Sequence, residues 1–295
     1  MDHKISNEEL IEELKSRFDG QKRALAEVQE LMQELTVLNQ RLENSEKLKT
    51  HFLSNIRNEI INPFASIMGF ARQLTAGKQL SQASIANIGR MIHNEAFSLD
   101  FQLQNIFMAA ELEAGEVIPE ISAFDPVQFI EKALINFKDK ASQKSTKLNF
   151  KNDWPANEMF VGDAPKIGVC LNNLLSNALK FNEKDSEVTV HLSGQTDGMM
   201  VSVMDFGHGI EPKNVARVFD RFVQLDEGMM KESPGHGLGL SITKALVDYM
   251  DGHLDIDTQK GKGSTFTILI PMNNETQKGY ATDANEVFFS DEMIF

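Results

Sequence analysis

The sequence predicts a multidomain α and α+β protein, with an N-terminal coiled coil, a dimeric four-helix bundle and a C-terminal α/β sandwich. Three observations predict it: heptad spacing between Leu14 and Leu42, two apolar stripes of helical period between Phe52 and Ala110, and a mixture of helical stretches and short alternating strands beyond residue 117. The length of 295 residues agrees, being that of about two folded domains.

The coil is assigned to residues 1–45. Leu14, Phe18, Gln21, Leu25, Val28, Met32 and Leu35 recur at alternating steps of four and three with charged residues between them, which is the spacing of a coiled-coil seam. Leu31, Leu35, Leu38 and Leu42 form an overlapping stripe, as a stutter does. A lone amphipathic helix on a core is the alternative. The length, with no breaker other than Gly20, favours the dimeric coil.

Residues 46–116 read as a helical hairpin. Its first stripe is Phe52, Ile56, Ile60, Pro63, Ile67, Phe70 and Leu74; after the polar turn TAGKQLSQ, its second is Ile85, Ile88, Ile92, Ala96, Leu99, Leu103, Ile106 and Ala110. Two helices with one apolar face each cannot bury those faces alone, so a homodimer is expected to close a four-helix bundle.

Two prolines in VIPEISAFDP break the helical pattern, and a second domain is assigned to residues 117–272. Its helical stretches are PVQFIEKALINFKDKASQK and PKIGVCLNNLLSNALKF; its strands are KLNFKN, EVTVHLSG, MMVSVMDFG, HLDIDTQ and STFTILIP. Helices on one face of a mostly antiparallel sheet are expected. The tail, residues 273–295, carries five acids against one lysine without a period and reads as flexible. Its Phe288, Phe289, Ile294 and Phe295 are either a docking peptide or stray apolar residues of a frayed end.

Composition narrows the function. No apolar run approaches the roughly 18 residues a bilayer span needs, so no direct membrane insertion is expected. The N-terminus is acidic and helical rather than basic and then apolar, which is unlike a signal peptide, and a cytoplasmic location is the expectation. A net charge of −14 argues against nucleic acid as a partner. Cys170 is alone, set in IGVCLNNLL as a small buried apolar residue would be, and the seven histidines make no i, i+4 pair with one another or with it. A structural metal is not expected.

Four stretches of the second domain carry chemistry together. NNLLSNALKF puts Asn173, Asn177 and Lys180 on one helical face, a set of amide oxygens and one ammonium that suits a magnesium-bound polyphosphate. DFGHGI ends a strand on Asp205, an acceptor for an exocyclic amine, with Gly207 and Gly209 letting backbone approach a flat ligand. GHGLGL sets Gly235, Gly237 and Gly239 at the opening of a helix, whose free N–H groups bind phosphate. GKGSTF makes a tight turn at Gly263 into a strand. Singly these are common; together, in this order, they are not.

They resemble the N box and the three glycine boxes of the GHKL ATPase superfamily, and VFDRF, residues 218 to 222, resembles the F box of sensor histidine kinases. The resemblance covers residues 46 to 271. It implies ATP and Mg2+ as cofactors, Asn177 as the magnesium ligand with Asn173 close by, and Lys180 and Arg221 near the phosphates. It implies adenine on Asp205, a pocket shaped by Gly207 and Gly209, Phe181 along the base, and Gly235, Gly237, Gly239 and Thr265 in the nucleotide set. The segment from Lys213 to Pro234 would be a lid. His208 and His236 are read as solvent-facing spacers.

The hairpin resembles the dimerisation and phosphotransfer domain of that family, whose motif runs approximately Phe-Leu-x-Asn-x-x-His-Glu-[Ile/Leu]-x-[Thr/Asn]-Pro. Here it is Phe52, Leu53, Asn55, Asn58, Glu59, Ile60, Asn62, Pro63, with Asn58 in the position of the phosphoacceptor histidine. Asn58 lies roughly 200° from Ile56 and from Ile60 around the helix, away from the stripe. An imidazole offers a ring-nitrogen lone pair near neutral pH; an amide nitrogen gives its lone pair to the carbonyl, so Asn58 is expected not to accept a phosphoryl group. Arg57 and Ile61 also depart from the family pattern. Glu59 and Asn62 keep the Glu-x-x-Asn spacing associated in related bifunctional kinases with dephosphorylating a response regulator, the amide orienting a water. The alternative is that Asn62 simply precedes the kinking Pro63. His51, one heptad before Asn58, is either a displaced acceptor or a solvated histidine at a helix junction.

The resemblance thus implies a histidine-kinase-like signalling protein, degenerate at its acceptor, acting on a response regulator or partner histidine kinase, with a phosphatase as one form of that action. Two alternatives stand beside it: a kinase that phosphorylates a separate protein, and a binding module that pairs with a competent kinase without catalysis.

Overall fold

The computed structural model describes residues 21–22, 28, 31–33, 35–36, 38–39, 60–76, 80–195, 198–221 and 237–273. The chain divides into two compact units, residues 1–54 and residues 55–295. In the first, the described residues are helical, and Val28, Leu31, Met32, Leu35 and Leu38 are all exposed in the single chain. Gln21 is exposed as well. Leu14, Phe18, Leu25 and Leu42 lie outside the described residues, as do His51, Phe52, Asn58, Glu59, Gly235, His236, most of the expected lid and the tail beyond Asn273.

The second unit begins with helix α1, residues 60–75, and helix α2, Gln82–Ala114. Ser81 starts α2 by accepting from the Ser84 N–H at 3.1 Å, and Gly115 ends it in the left-handed conformation, φ 68°, which a residue without a Cβ adopts without strain. Of the expected stripes, Pro63 and Ile88 are buried and Ile60, Ile67, Phe70, Ile92, Leu99, Leu103 and Ile106 half-buried. Leu74 and Ile85 are exposed, as are Ile61, Phe64, Met68, Met91 and Phe107, which the stripes did not include.

After α2 come β1 (Ile121–Phe124), α3 (Pro126–Gln143), β2 (Lys147–Asp153), β3 (Phe160–Asp163), α4 (Ala164–Phe181), β4 (Glu187–Gln195), β5 (Gly198–Asp205), α5 (Gly239–Tyr249), β6 (His253–Gln259) and β7 (Gly263–Pro271). Two 3-10 turns, Pro212–Asn214 and Ala216–Phe219, lie between β5 and α5. Asp125 and Asp163 cap α3 and α4, each with a proline in the first turn, where no backbone N–H is needed.

The main sheet runs β2-β4-β5-β7-β6. Its β2·β4 pairing is parallel and the others are antiparallel, so the expectation of a mostly antiparallel sheet holds. Strand alternation buries Val188, Val190, Leu192, Met199, Val201, Val203, Phe266, Ile268 and Ile270. Ser202 and Thr267, of the opposite parity, pair their hydroxyls across β5 and β7 at 2.9 Å. Leu171, Leu174, Leu175 and Leu179 make α4 the helical side of this core; each such burial is worth about 1.5–3 kcal/mol. A second small sheet, β1 antiparallel to β3, was not legible in the sequence because both strands are four residues long.

Candidate functional site

Helix α4 carries the first group of candidate residues. With its leucines turned to the core, Asn177 and Lys180 remain half-buried on the expected face. Asn173, on the same face, is 2% exposed, more enclosed than a surface ligand set predicts. The reason is tertiary. Its Nδ2 donates to Oδ1 of Asn105 on α2 at 2.8 Å, and its Oδ1 lies 3.0 Å from where a Cβ on Gly239 would stand. The first helix turn of α5 is thus brought against a residue far away in the chain.

Strand β5 carries the second group. The parity that buries Met199, Val201 and Val203 also turns Asp205, its last residue, inward, so a carboxylate closes an otherwise apolar face. Asp205 pairs with Ser264 across β5 and β7 and accepts from the Gly207 N–H at 2.9 Å. Burial raises its pKa above the ordinary carboxylate value, while the N–H groups of Gly207 and Ser264 and the nearby His208 pull it back down.

Three glycines let backbone converge on this carboxylate. A Cβ on Gly207 would run into the carbonyl of Phe181, one on Gly263 into the carbonyl of Asp205, and one on Gly209 into that of Gln259; Gly209 and Gly263 also have positive φ, 59° and 104°. The Gly261 N–H donates to the His208 carbonyl at 2.6 Å. The end of α4, the turn after β5 and the turn before β7 are therefore one constellation. Phe181 is partly exposed beside it, with the Lys180 ammonium 4.9 Å from its ring centroid. His208 is not the solvent-facing spacer expected: it is half-buried, its ring edge-on to Phe181 at 6.0 Å.

Helix α5 differs from the other helices of this unit whose starts are described. Ser81, Asp125 and Asp163 cap α2, α3 and α4, but Leu238 offers α5 no side-chain cap. Ser241 and Thr243 turn their hydroxyls back to the carbonyls of Leu238 and Gly239, both at 2.8 Å. Among the described residues no side chain caps the N–H groups at the start of α5, whose positive end could hold an anion such as a phosphate chain. Gly237, just before it, has φ 67°. Thr265 is half-buried, opposite Met204 and Asp257 in the sheet, and Arg221 is exposed.

The sequence reading missed several supporting residues. Asn182 is buried, donates from Nδ2 to the Glu187 carbonyl at 3.1 Å and accepts from the Phe206 N–H at 3.0 Å, tying the turn after β5 to the end of α4. Thr258 accepts from the Ile210 N–H at 2.9 Å and pairs with the Ser264 hydroxyl at 2.9 Å. Asn105 stood unnoticed between Leu103 and Ile106; with Gln102 and Gln104 beside it, no signal in the sequence singled it out. In the hairpin, Asn62 is exposed on α1.

Known proteins resemble this chain in sequence and fold. Residues 162–274 match the family described as histidine kinase-, DNA gyrase B-, and HSP90-like ATPase. The circadian input-output histidine kinase CikA of Synechococcus elongatus is 30% identical over 254 residues, 84% of this chain and 33% of CikA. Residues 162–274 therefore form an ATPase domain of that family, and over most of its length the chain is similar to sensor histidine kinases. The non-motile and phage-resistance protein of Caulobacter vibrioides is 28% identical over 90% of this chain and 32% of its own length, and the Escherichia coli sensor histidine kinase RcsC 28% identical over 83% and 25%. The chain thus spans about a third or less of the length of these curated relatives. The crystal structure of full-length ShkA in complex with AMPPNP shares the fold, at 22% identity and a TM-score of 0.53 over 77% of this chain and 46% of ShkA.

Proposed function

We propose that the chain binds ATP with Mg2+ and works as a histidine-kinase-like regulator that does not phosphorylate itself, acting on a response regulator or partner kinase. The observation that carries the nucleotide reading is the inward carboxylate of Asp205 set among the glycine turns and the end of α4. In that reading Asp205 accepts from the adenine amine, Phe181 flanks the base, and Asn177 holds the magnesium. Lys180, Arg221 and the uncapped start of α5 face the phosphates. Bound ATP would supply a transferable phosphoryl group. At residue 58 the family's imidazole is replaced by an amide without a nucleophilic lone pair.

In the hairpin, the exposed Asn62 amide supports a phosphatase role with Glu59, orienting a water against an aspartyl phosphate on a regulator. A homodimer is supported by the exposed Ile61, Phe64, Met68, Ile85, Met91 and Phe107, a set of large apolar side chains that a second copy would cover. The domain scheme that goes with this reading is a coil over 1–45, the hairpin over 46–116, the ATPase domain over 117–272 and a tail.

The test is nucleotide binding by calorimetry, followed by autophosphorylation of wild type and Asn58→His. Uptake of magnesium-ATP by both, with labelling in Asn58→His alone, is expected. Labelling of the wild type would overturn the degenerate-acceptor reading. For the phosphatase role, a phosphorylated cognate regulator should lose phosphate faster with wild type than with Asn62→Ala or buffer; equal rates in all three would overturn it.

A further inference from the structure

The contact between α2 and the ATPase domain is polar at its most buried point. Asn105 is 6% exposed and Asn173 2%, and the two amides are joined at 2.8 Å. Asn105 is itself fixed, because its Nδ2 donates to the Phe101 carbonyl one turn earlier at 2.9 Å. Its Oδ1 is therefore held out as an acceptor, and the Nδ2 of Asn173 donates to it. An amide with its nitrogen committed has its oxygen direction committed too. That oxygen points toward Gly239, at the uncapped start of α5. A nearby edge-on contact of Phe97 with Phe137, 5.6 Å between ring centroids, brings α2 against α3 as well.

We infer that Asn105 is a positioning residue for the nucleotide site: by accepting from Nδ2 of Asn173 it aims the Asn173 carbonyl oxygen at the phosphate end of the site, so that docking of α2 raises nucleotide affinity. The inference rests on the nucleotide reading above. By reciprocity, bound nucleotide strengthens the docking of α2, which makes the hydrogen bond a coupling between the helical hairpin and the ATPase domain. Without it the Asn173 side chain keeps its rotamers free, and ordering them falls to the ligand. The contact suits reversible use, since an amide pair is satisfied by water when the surfaces part, and Gln102 Oε1, one turn from Asn105, is buried without a partner in the docked form.

The experiment is calorimetric titration of the full chain with magnesium-ATP for wild type, Asn105→Leu, Asn105→Ala, Asn173→Ala and the Asn105→Leu/Asn173→Ala double variant. It is paired with amide hydrogen exchange over α2 with and without nucleotide. Expected are a loss of affinity of roughly two- to tenfold in both Asn105 variants, the span of one net hydrogen bond, no additional loss in the double variant over Asn173→Ala, and slower exchange in α2 when nucleotide is added to wild type. Wild-type affinity in the Asn105 variants, or the same fold-loss again on the Asn173→Ala background, overturns the positioning role while leaving the nucleotide reading intact. Absence of any uptake by wild type overturns both.

Discussion

The Lys166 ammonium and the Asp163 carboxylate lie 2.9 Å apart with their side chains 3% and 1% exposed, a buried ion pair one turn into α4. Around it the chain between α2 and β1 is fastened residue by residue. Lys166 Nζ donates to the Ile118 carbonyl at 2.6 Å, the Glu120 N–H donates to Asp163 Oδ2 at 2.9 Å, and the Tyr249 hydroxyl donates to the Val117 carbonyl at 3.1 Å. The strap that follows α2 is thereby tied to α4 and α5, while the Gly115 and Glu116 N–H groups still donate to the Glu111 carbonyl of α2.

Removing one partner of that pair leaves a buried charge uncompensated. Lys166→Met is expected to cost roughly 3–5 kcal/mol in urea unfolding, and Lys166→Met combined with Asp163→Asn, which keeps a cap on α4, to recover much of it.

Asp205 should trade stability for binding. Its folded pKa is raised above the ordinary 3.8, mainly by burial, so the folded protein holds the proton more tightly than the unfolded chain. Its contribution is fully present below pH 3.8 and is lost as pH rises through the folded value. Asp205→Asn should flatten the stability profile across that window and raise the melting temperature of the nucleotide-free protein at neutral pH. The same variant should lose roughly ten- to hundredfold in magnesium-ATP affinity, the worth of a hydrogen bond to a charged group.

The turn before β7 has no room for a side chain. At Gly263, with φ 104° and the Asp205 carbonyl where a Cβ would go, Gly263→Ala should destabilise by more than about 1 kcal/mol. Because the displaced group is Asp205 itself, nucleotide uptake measured by calorimetry should fall in parallel.

Cys170 is fully buried, with Sγ donating to the Thr243 carbonyl at 3.9 Å, and burial pushes its thiol far up. It should resist a thiol-specific maleimide in the native protein and react completely in urea. Mass spectrometry of the two samples is the check, and native labelling would mean that α4 opens.

Much of the ATPase domain was legible in the sequence for local reasons. Alternation marked all five strands of the main sheet, helical stretches opening at Pro126 and Pro165 marked α3 and α4, and glycines marked turns whose backbone leaves no space for a Cβ. The inward turn of Asp205 follows from strand parity alone. Periodicity also marked α1 and α2, but not all of the apolar residues they leave exposed, since those depend on what each helix packs against.

By itself, then, the sequence determined the residue types of a nucleotide site, their order, and an amide at position 58 where an imidazole is expected. Only the tertiary structure decided which of those residues meet. It enclosed Asn173 by bringing Asn105 to it from helix α2, set His208 edge-on to Phe181, and used Asn182, Thr258 and Lys166 to hold turns and strap in place. The physical reason is that a hydrogen bond between distant residues leaves no period in the chain. Its partners are specified by how helices and sheet pack, and a polar residue gains its meaning only from the group that packing puts opposite it.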